Sequence, residues 1–233
     1  MKNTEILEIN HTFNAEDTAK YIKPFIFLRG YATAKGFQQM QIALSVAELM
    51  HEGQCRKDGT PYILHPLKVC CTLVNCKIDD DIILAAALCH DILEDCTDKL
   101  PFKGRELITE FGLSPEVLEI VALLSKEPGL NEHELSVYFS KIRDNPKALL
   151  IKLSDRLHNS STLYEFTMPK MRKYIDETKL FIIPLASHGK KYYPQYRDAL
   201  VNLKNNIQSL NNSMDVMLKR FEDMQKGQPN GQE

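Results

Sequence analysis

Apolar positions recur at three- and four-residue steps along most of the chain, the spacing that gathers them on one face of a helix. The pattern predicts helices over residues 15–34 and 37–52, divided by "AKGF". "QCRKDGTPYI" follows and reads as a loop by its glycine and proline content. "LHPLKVCCTLV" is the next helix, with Pro66 tolerated in its first turn, and "DDDIILAAALCHDILED" is another, with acids where the helix dipole favours them. "SPEVLEIVALLS" opens on Ser114 as N-cap and Pro115 at the first helical position. "NPKALLIKLSDRLHN" and "MPKMRKYIDETKLFIIPLAS" complete the set, the last broken near Pro184. Only "TEILEINHTF" near the start admits a strand. With almost no period-two alternation, the expected fold is all-α, a compact multi-helix domain without internal repeats.

The C-terminal stretch follows a stricter rule. Tyr196, Leu200, Leu203, Ile207, Leu210, Met214, Met217, Phe221 and Met224 alternate steps of four and three over about four heptads, which is a coiled-coil seam. A long helix folded back on its own domain needs a similar stripe, so self-association into a homo-oligomer and docking in cis both stay open. The expected organisation is a domain over 1–195, a heptad helix over 196–225 and a disordered tail over 226–233.

Composition narrows the function classes. A chain of 233 residues with 43% hydrophobic and 26% charged residues suits one generous soluble domain. A net charge of −2 and a pI near 6.4 argue against a broad nucleic-acid surface, though not against a local basic pocket for a small anion. No apolar run reaches the length of a membrane span, and "MKNTEILEIN" lacks a signal-peptide core, so a cytoplasmic protein is expected. Cys55, Cys70, Cys71, Cys76, Cys89 and Cys96 show no zinc-type pairing and are expected as reduced thiols packed as small apolar residues.

One segment resists that ordinary reading. "LCHDILEDC" sets a histidine and three acids at the end of an apolar run, where desolvating them is costly and the helix dipole disfavours the acids by roughly 0.3–1 kcal/mol each. On a continuous helix His90 lies one turn from Glu94, and Asp91 one turn from Asp95. An imidazole beside a carboxylate is an ordinary pair of ligands for a divalent metal. His65, where a loop becomes a helix, and Asp155, where the run "ALLIKL" stops, are the candidates to complete the set; Asn159 and Thr162 share the face of Asp155. A lone helical histidine is more often a satisfied core or surface group, and acids at a helix end can be solvated charges. Spacing by itself therefore leaves a metal site and plain helix-end charges both open.

"HDILED", together with "RKDGTPYILHPL" and "IKLSDRLHNSSTL", resembles the HD-superfamily hydrolase domain of the RelA/SpoT alarmone enzymes. "AELMHEGQ", "EFG" and "DETKLFIIPLA" fall in the matching order, and the similarity covers roughly residues 30–190. The resemblance implies that His65, His90, Asp91 and Asp155 bind Mn2+ and that Glu94 and Asp95 position or activate the attacking water. It implies that Arg56 and Lys57 sit near the substrate base or phosphates, and that Asn159 and Thr162 line the nucleotide pocket. The activity it implies is hydrolysis of the 3′-diphosphate of (p)ppGpp to pyrophosphate and GDP or GTP, in a short, hydrolase-only form. Three positions depart from the family pattern: Ser160-Ser161 replaces a Met-Arg pair, Cys96 replaces a threonine, and "SHGKKYYP" replaces the usual "RLG". These departures leave the ligand set intact and bear on substrate choice, so (p)ppApp or NADPH stands as an alternative nucleotide. A non-catalytic sensor of the same fold would be expected to have lost a ligand or the acidic pair, and all six residues are present.

Overall fold

The computed structural model describes residues 15–100 and 106–227, which form helices joined by short turns. They are α1 (Ala15–Lys35), α2 (Gln38–Met50), α3 (Leu64–Asn75), α4 (Asp81–Cys89), α5 (Ile92–Asp95) and α6 (Glu106–Thr109), then α7 (Pro115–Leu124), α8 (Glu132–Arg143), α9 (Pro146–Ser161), α10 (Met168–Glu177), α11 (Ile183–Tyr192) and α12 (Arg197–Gly227). No strand occurs among the described residues, and the fold is all-α. The strand expected at 4–13 and the tail residues 228–233 lie outside them.

Helix starts follow from capping chemistry. Asp80 accepts the Ile83 N–H at 2.9 Å, and the neighbouring Asp81 carboxylate reaches across to the Met40 and Gln39 N–H groups at 2.7 and 3.0 Å. Asp81 thereby satisfies free donors at the start of α2 and ties α2 to α4. Ser114 and Asn145 cap α7 and α9, and Asn131 forms a capping box with Glu134 at α8.

Helix α4 is the axle of the domain. Ile83 to Cys89 are buried without interruption, and α2, α3, α7 and α9 pack around them. That is why this helix is apolar on every face. Burying a side chain such as Leu84 or Leu88 is worth about 1.5–3 kcal/mol. All six cysteines are free, with Cys70, Cys89 and Cys96 buried in or against this core.

Apart from α8, in a stretch with no expected element, three features differ from the expected elements. The helix expected over 79–95 stops at Cys89, turns at His90 and Asp91, and restarts as α5. His90 Nδ1 takes the Ala87 carbonyl at 2.8 Å, the group that a continuous helix would give to the Asp91 N–H. Between α10 and α11 the chain does not break at Pro184. A π-helical turn at Thr178–Ile182 absorbs the proline's missing N–H, and Pro184 sits in the first turn of α11.

The third difference concerns the seam. α12 lies in cis on α9, α10 and α11, burying Leu200, Leu203 and Ile207. Beyond Leu210 its buried face rotates to Asn211, Asp215 and Leu218, which leaves Phe221 and Met224 exposed. Asp215 causes the rotation: it pairs with Arg172 of α10, with Lys179 at 2.7 Å and with Lys219 at 3.1 Å. No helix among the described residues is long and apolar enough to cross a membrane.

Candidate active site

The turn at 90–91 is what assembles the site. Adjacent residues on an unbroken helix point about 100° apart, whereas here His90 Nε2 and Asp91 Oδ1 approach to 3.2 Å. His65, in the first turn of α3, brings its Nε2 to 3.2 Å from His90 Nε2, 3.2 Å from Asp91 Oδ2 and 3.4 Å from Asp155 Oδ1. Asp155 comes from α9, which packs on both α3 and α4. His65, His90 and Asp91 offer ligand atoms all within 4.8 Å of one another, and Asp155 closes the group. His65, His90 and Asp155 are buried and Asp91 is half-buried.

The electrostatics of the group suit a cation. Burial opposes protonation of His65, but hydrogen bonds donated to Asp155 and Asp91 outweigh it and hold the imidazole up at about 9. Burial likewise penalises the Asp155 carboxylate, yet Lys152, at 3.1 Å, and the two imidazoles hold its pKa well below the usual range. Asp91 is also held low, by His90 and His65 against burial. A buried and a half-buried carboxylate facing two imidazoles thus favour positive charge at their centre, which a proton or a divalent metal can supply. Oxygen and imidazole donors are an ordinary set for Mn, Fe or Zn.

Both imidazoles are oriented from behind. His90 Nδ1 meets the Ala87 carbonyl, and His65 Nδ1 meets His158 Nδ1 at 2.8 Å. His158 is pushed down to about 3, by burial first and then by His65 and Arg56. Asn159 donates to Asp155 Oδ1.

A cleft of about 740 Å³ opens over the group. Glu94 and Asp95 stand on its rim. Partial desolvation pushes the Glu94 carboxyl up to about 7, against the pull of the Lys126 N–H, which it accepts at 2.6 Å. Asp95 accepts a 2.6 Å hydrogen bond from the Tyr62 hydroxyl, whose oxygen also lies 2.8 Å from Asp91 Oδ2. The opposite wall belongs to α10 and carries Lys170 and Lys173, with Lys126 beside them. None of these three ammonium groups makes an ion pair among the described residues.

His65, His90, Asp91, Asp155, Glu94, Asp95 and Asn159 therefore share one site. Arg56 abuts it: its guanidinium donates to Asn159 Oδ1 at 3.1 Å from a loop closed by the Cys55–Pro61 bridge and by Gly59 at φ +80°. Lys57 lies farther out, with Nζ 5.7 Å from the Phe166 ring centroid. Thr162 caps α9 and bonds back to Asn159 O at 3.4 Å; neither it nor Lys57 lines the cleft. Ser160 is buried and Ser161 bonds to the His158 carbonyl, so neither departure in that pair lines the cleft either.

Sequence reasoning missed Tyr62 and the lysines at 126, 152, 170 and 173. Tyr62 stands three residues before His65 in a loop-to-helix turn, a position that could have flagged it. Lys170 and Lys173 carry no such signal, because "MPKMRKYIDE" reads as any solvated amphipathic helix.

Comparison with known proteins bears on the family and the fold. A family model described as an HD domain matches residues 43–188. The bifunctional (p)ppGpp synthase/hydrolase SpoT of Escherichia coli K12 is 33% identical over 166 residues, covering 68% of this chain and 23% of that protein. A guanosine-3′,5′-bis(diphosphate) 3′-pyrophosphohydrolase of Haemophilus influenzae is 34% identical over 172 residues, 71% of this chain and 23% of the relative. The chain thus spans about a quarter of the length of these curated relatives. A solved structure described as a metazoan ortholog of SpoT that hydrolyzes ppGpp superposes with a TM-score of 0.58 and 23% identity, covering 74% of this chain and 93% of that one; the likeness bears on the fold.

Proposed function

Since the chain belongs to the HD-domain family, we propose that it is a metal-dependent phosphohydrolase that removes the 3′-diphosphate of (p)ppGpp, releasing pyrophosphate and GDP or GTP. The observation that carries this reading is the convergence of His65, His90, Asp91 and Asp155 beneath Glu94 and Asp95, in a cleft walled by lysines. The names of the relatives supply the substrate class.

His65, His90, Asp91 and Asp155 would hold the ion, Mn2+ by the sequence resemblance. When bound, such an ion supplies hydroxide near neutral pH and charge to the phosphoryl oxygens. Glu94 and Asp95 manage the proton of the attacking water. Water attacks phosphorus in line, the bond from phosphorus to the ribose 3′ oxygen breaks, and that oxygen takes a proton. Glu94, held near 7, can carry a proton in either direction at neutral pH. Lys126, Lys170 and Lys173 neutralise phosphate charge that the acidic floor would otherwise repel. Arg56 and Asn159, joined to each other, bound the nucleoside end of the cleft.

The test is product analysis by anion-exchange chromatography. Purified protein with Mn2+ is offered ppGpp, ppApp and NADPH separately, with Asp91→Ala as the blank. Pyrophosphate and GDP from ppGpp, absent in the blank, are expected. Turnover of ppApp or NADPH alone would keep the chemistry and reassign the substrate. No turnover of any, with metal bound, would favour a nucleotide sensor.

A further inference from the structure

The mechanism above leaves His158 without a task, although it touches a ligand. Each proposed imidazole ligand is held from behind through Nδ1. For His90 the partner is the Ala87 carbonyl, which can only accept. For His65 the partner is another imidazole, His158, through a 2.8 Å contact between the two Nδ1 atoms. Such a contact has no built-in direction, because either ring nitrogen could carry the proton.

A third group fixes the direction. The Arg56 guanidinium has only donors, and its NH1 lies 3.4 Å from the same His158 Nδ1. His158 Nδ1 must then present its lone pair, so its proton sits on Nε2 and His65 Nδ1–H is the donor. His65 Nε2 is left to face His90, Asp91 and Asp155. The other tautomer would aim an N–H of His158 at both the guanidinium and His65.

We propose that His158 is a positioning residue of the metal centre: held by Arg56, it accepts the His65 Nδ1–H and so sets the tautomer and ring angle of that ligand. This rests on the metal-dependent reading above. The relay has a consequence for the loop at 54–60. Arg56 also donates to Asn159 Oδ1, and Asn159 donates to Asp155, so one guanidinium supports two ligands from two directions. Outer-sphere partners of this kind are worth about 10- to 100-fold in metal affinity when removed.

The design of the test follows from which nitrogen accepts. His158→Phe fills the space and deletes the acceptor, whereas His158→Asn keeps an oxygen near the Nδ1 position. Mn2+ affinity is measured on the full chain by chelator competition, with thermal melts in EDTA as the control for folding. The Phe variant is expected to bind Mn2+ about 10- to 100-fold more weakly at an unchanged metal-free Tm, and the Asn variant to fall within a few-fold of wild type. Wild-type affinity in the Phe variant overturns the proposal and leaves the hydrolase reading standing. Failure of the wild-type protein to bind any Mn2+ overturns both. Should the Phe variant not fold, long-range 1H–15N correlation spectra of the wild-type histidines decide: His65 protonated at Nδ1 with His158 bare there supports the relay, and His158 protonated at Nδ1 refutes it.

Discussion

The Tyr62 hydroxyl joins two groups that the proposed reaction would use differently, and Tyr62→Phe isolates that hydroxyl. Its oxygen lies 2.8 Å from Asp91 Oδ2 and 2.6 Å from Asp95 Oδ2, but it owns one proton and satisfies one carboxylate at a time. The loss is therefore one hydrogen bond to a charged acceptor, about 1.5–3 kcal/mol. Asp91 keeps its contacts with both imidazoles, whereas Asp95 loses the tether that turns it toward the site. The cost should fall on Asp95. With each 1.4 kcal/mol counting tenfold, kcat is expected to drop about 10- to 150-fold, while the metal Kd moves less than about tenfold. The ring still stacks on His51 at a centroid distance of 4.8 Å, so the fall in melting temperature should not exceed what one lost hydrogen bond costs, about 2–4 °C per kcal/mol. Steady-state kinetics at saturating Mn2+, chelator competition and a thermal melt separate the three effects. A kcat within about threefold of wild type would refute the claim that the Tyr62 hydroxyl holds Asp95 in place for the proposed reaction.

Three further perturbations follow from the geometry of the site and the core. His65 has its pKa raised from 6.5 to about 9, so its contact with the carboxylates stabilises the metal-free protein below pH 6.5 and is lost as pH climbs through 9. Metal must displace that proton, and Mn2+ affinity should rise about tenfold per pH unit between about pH 6.5 and 8; a flat profile by chelator competition would contradict it. Glu94 is raised from 4.5 to about 7, so the folded state holds a proton the unfolded chain has lost, and stability falls as pH rises across that window. Glu94→Gln should abolish both this slope in urea melts and a limb near pH 7 in kcat/KM, and persistence of either would move the titration to another group. A Cβ on Gly189 would lie 2.5 Å from Leu149 Cδ2 and within 3.3 Å of both Leu200 methyls, where α9, α11 and α12 meet. Gly189→Ala should destabilise by about 1 kcal/mol net, overpacking of about 1–3 kcal/mol exceeding a helix-propensity gain of roughly 1 kcal/mol; a more stable variant would mean that Leu149 yields freely.

Much of the fold is legible in the chain because helical periodicity and capping are local. α1, α2, α3, α7 and α9 fall within a residue or two of their expected bounds, and Ser114 caps where it should. The turn at His90 is not legible, since it depends on an imidazole competing for its own helix's carbonyl inside an otherwise uniform apolar run. The seam of α12 misleads for a tertiary reason: Asp215 is buried against Arg172 and Lys179, residues roughly forty positions away, and the ion pairs rotate the helix off its apolar stripe. The lysine wall is hidden in the same way. Lys170 and Lys173 become part of a site only when α10 folds over Asp155, and Arg156 anchors that approach by bonding Glu177 and Thr178 and stacking 3.9 Å from the centre of the Tyr174 ring.

The central claim is that water attacks the 3′-phosphoryl group over the His65, His90, Asp91 and Asp155 cluster. It is tested most directly by running the reaction on ppGpp with Mn2+ in 18O-labelled water and weighing both products. The account expects pyrophosphate carrying a single 18O and GDP carrying none. Orthophosphate in place of pyrophosphate, or label on the GDP, would contradict it.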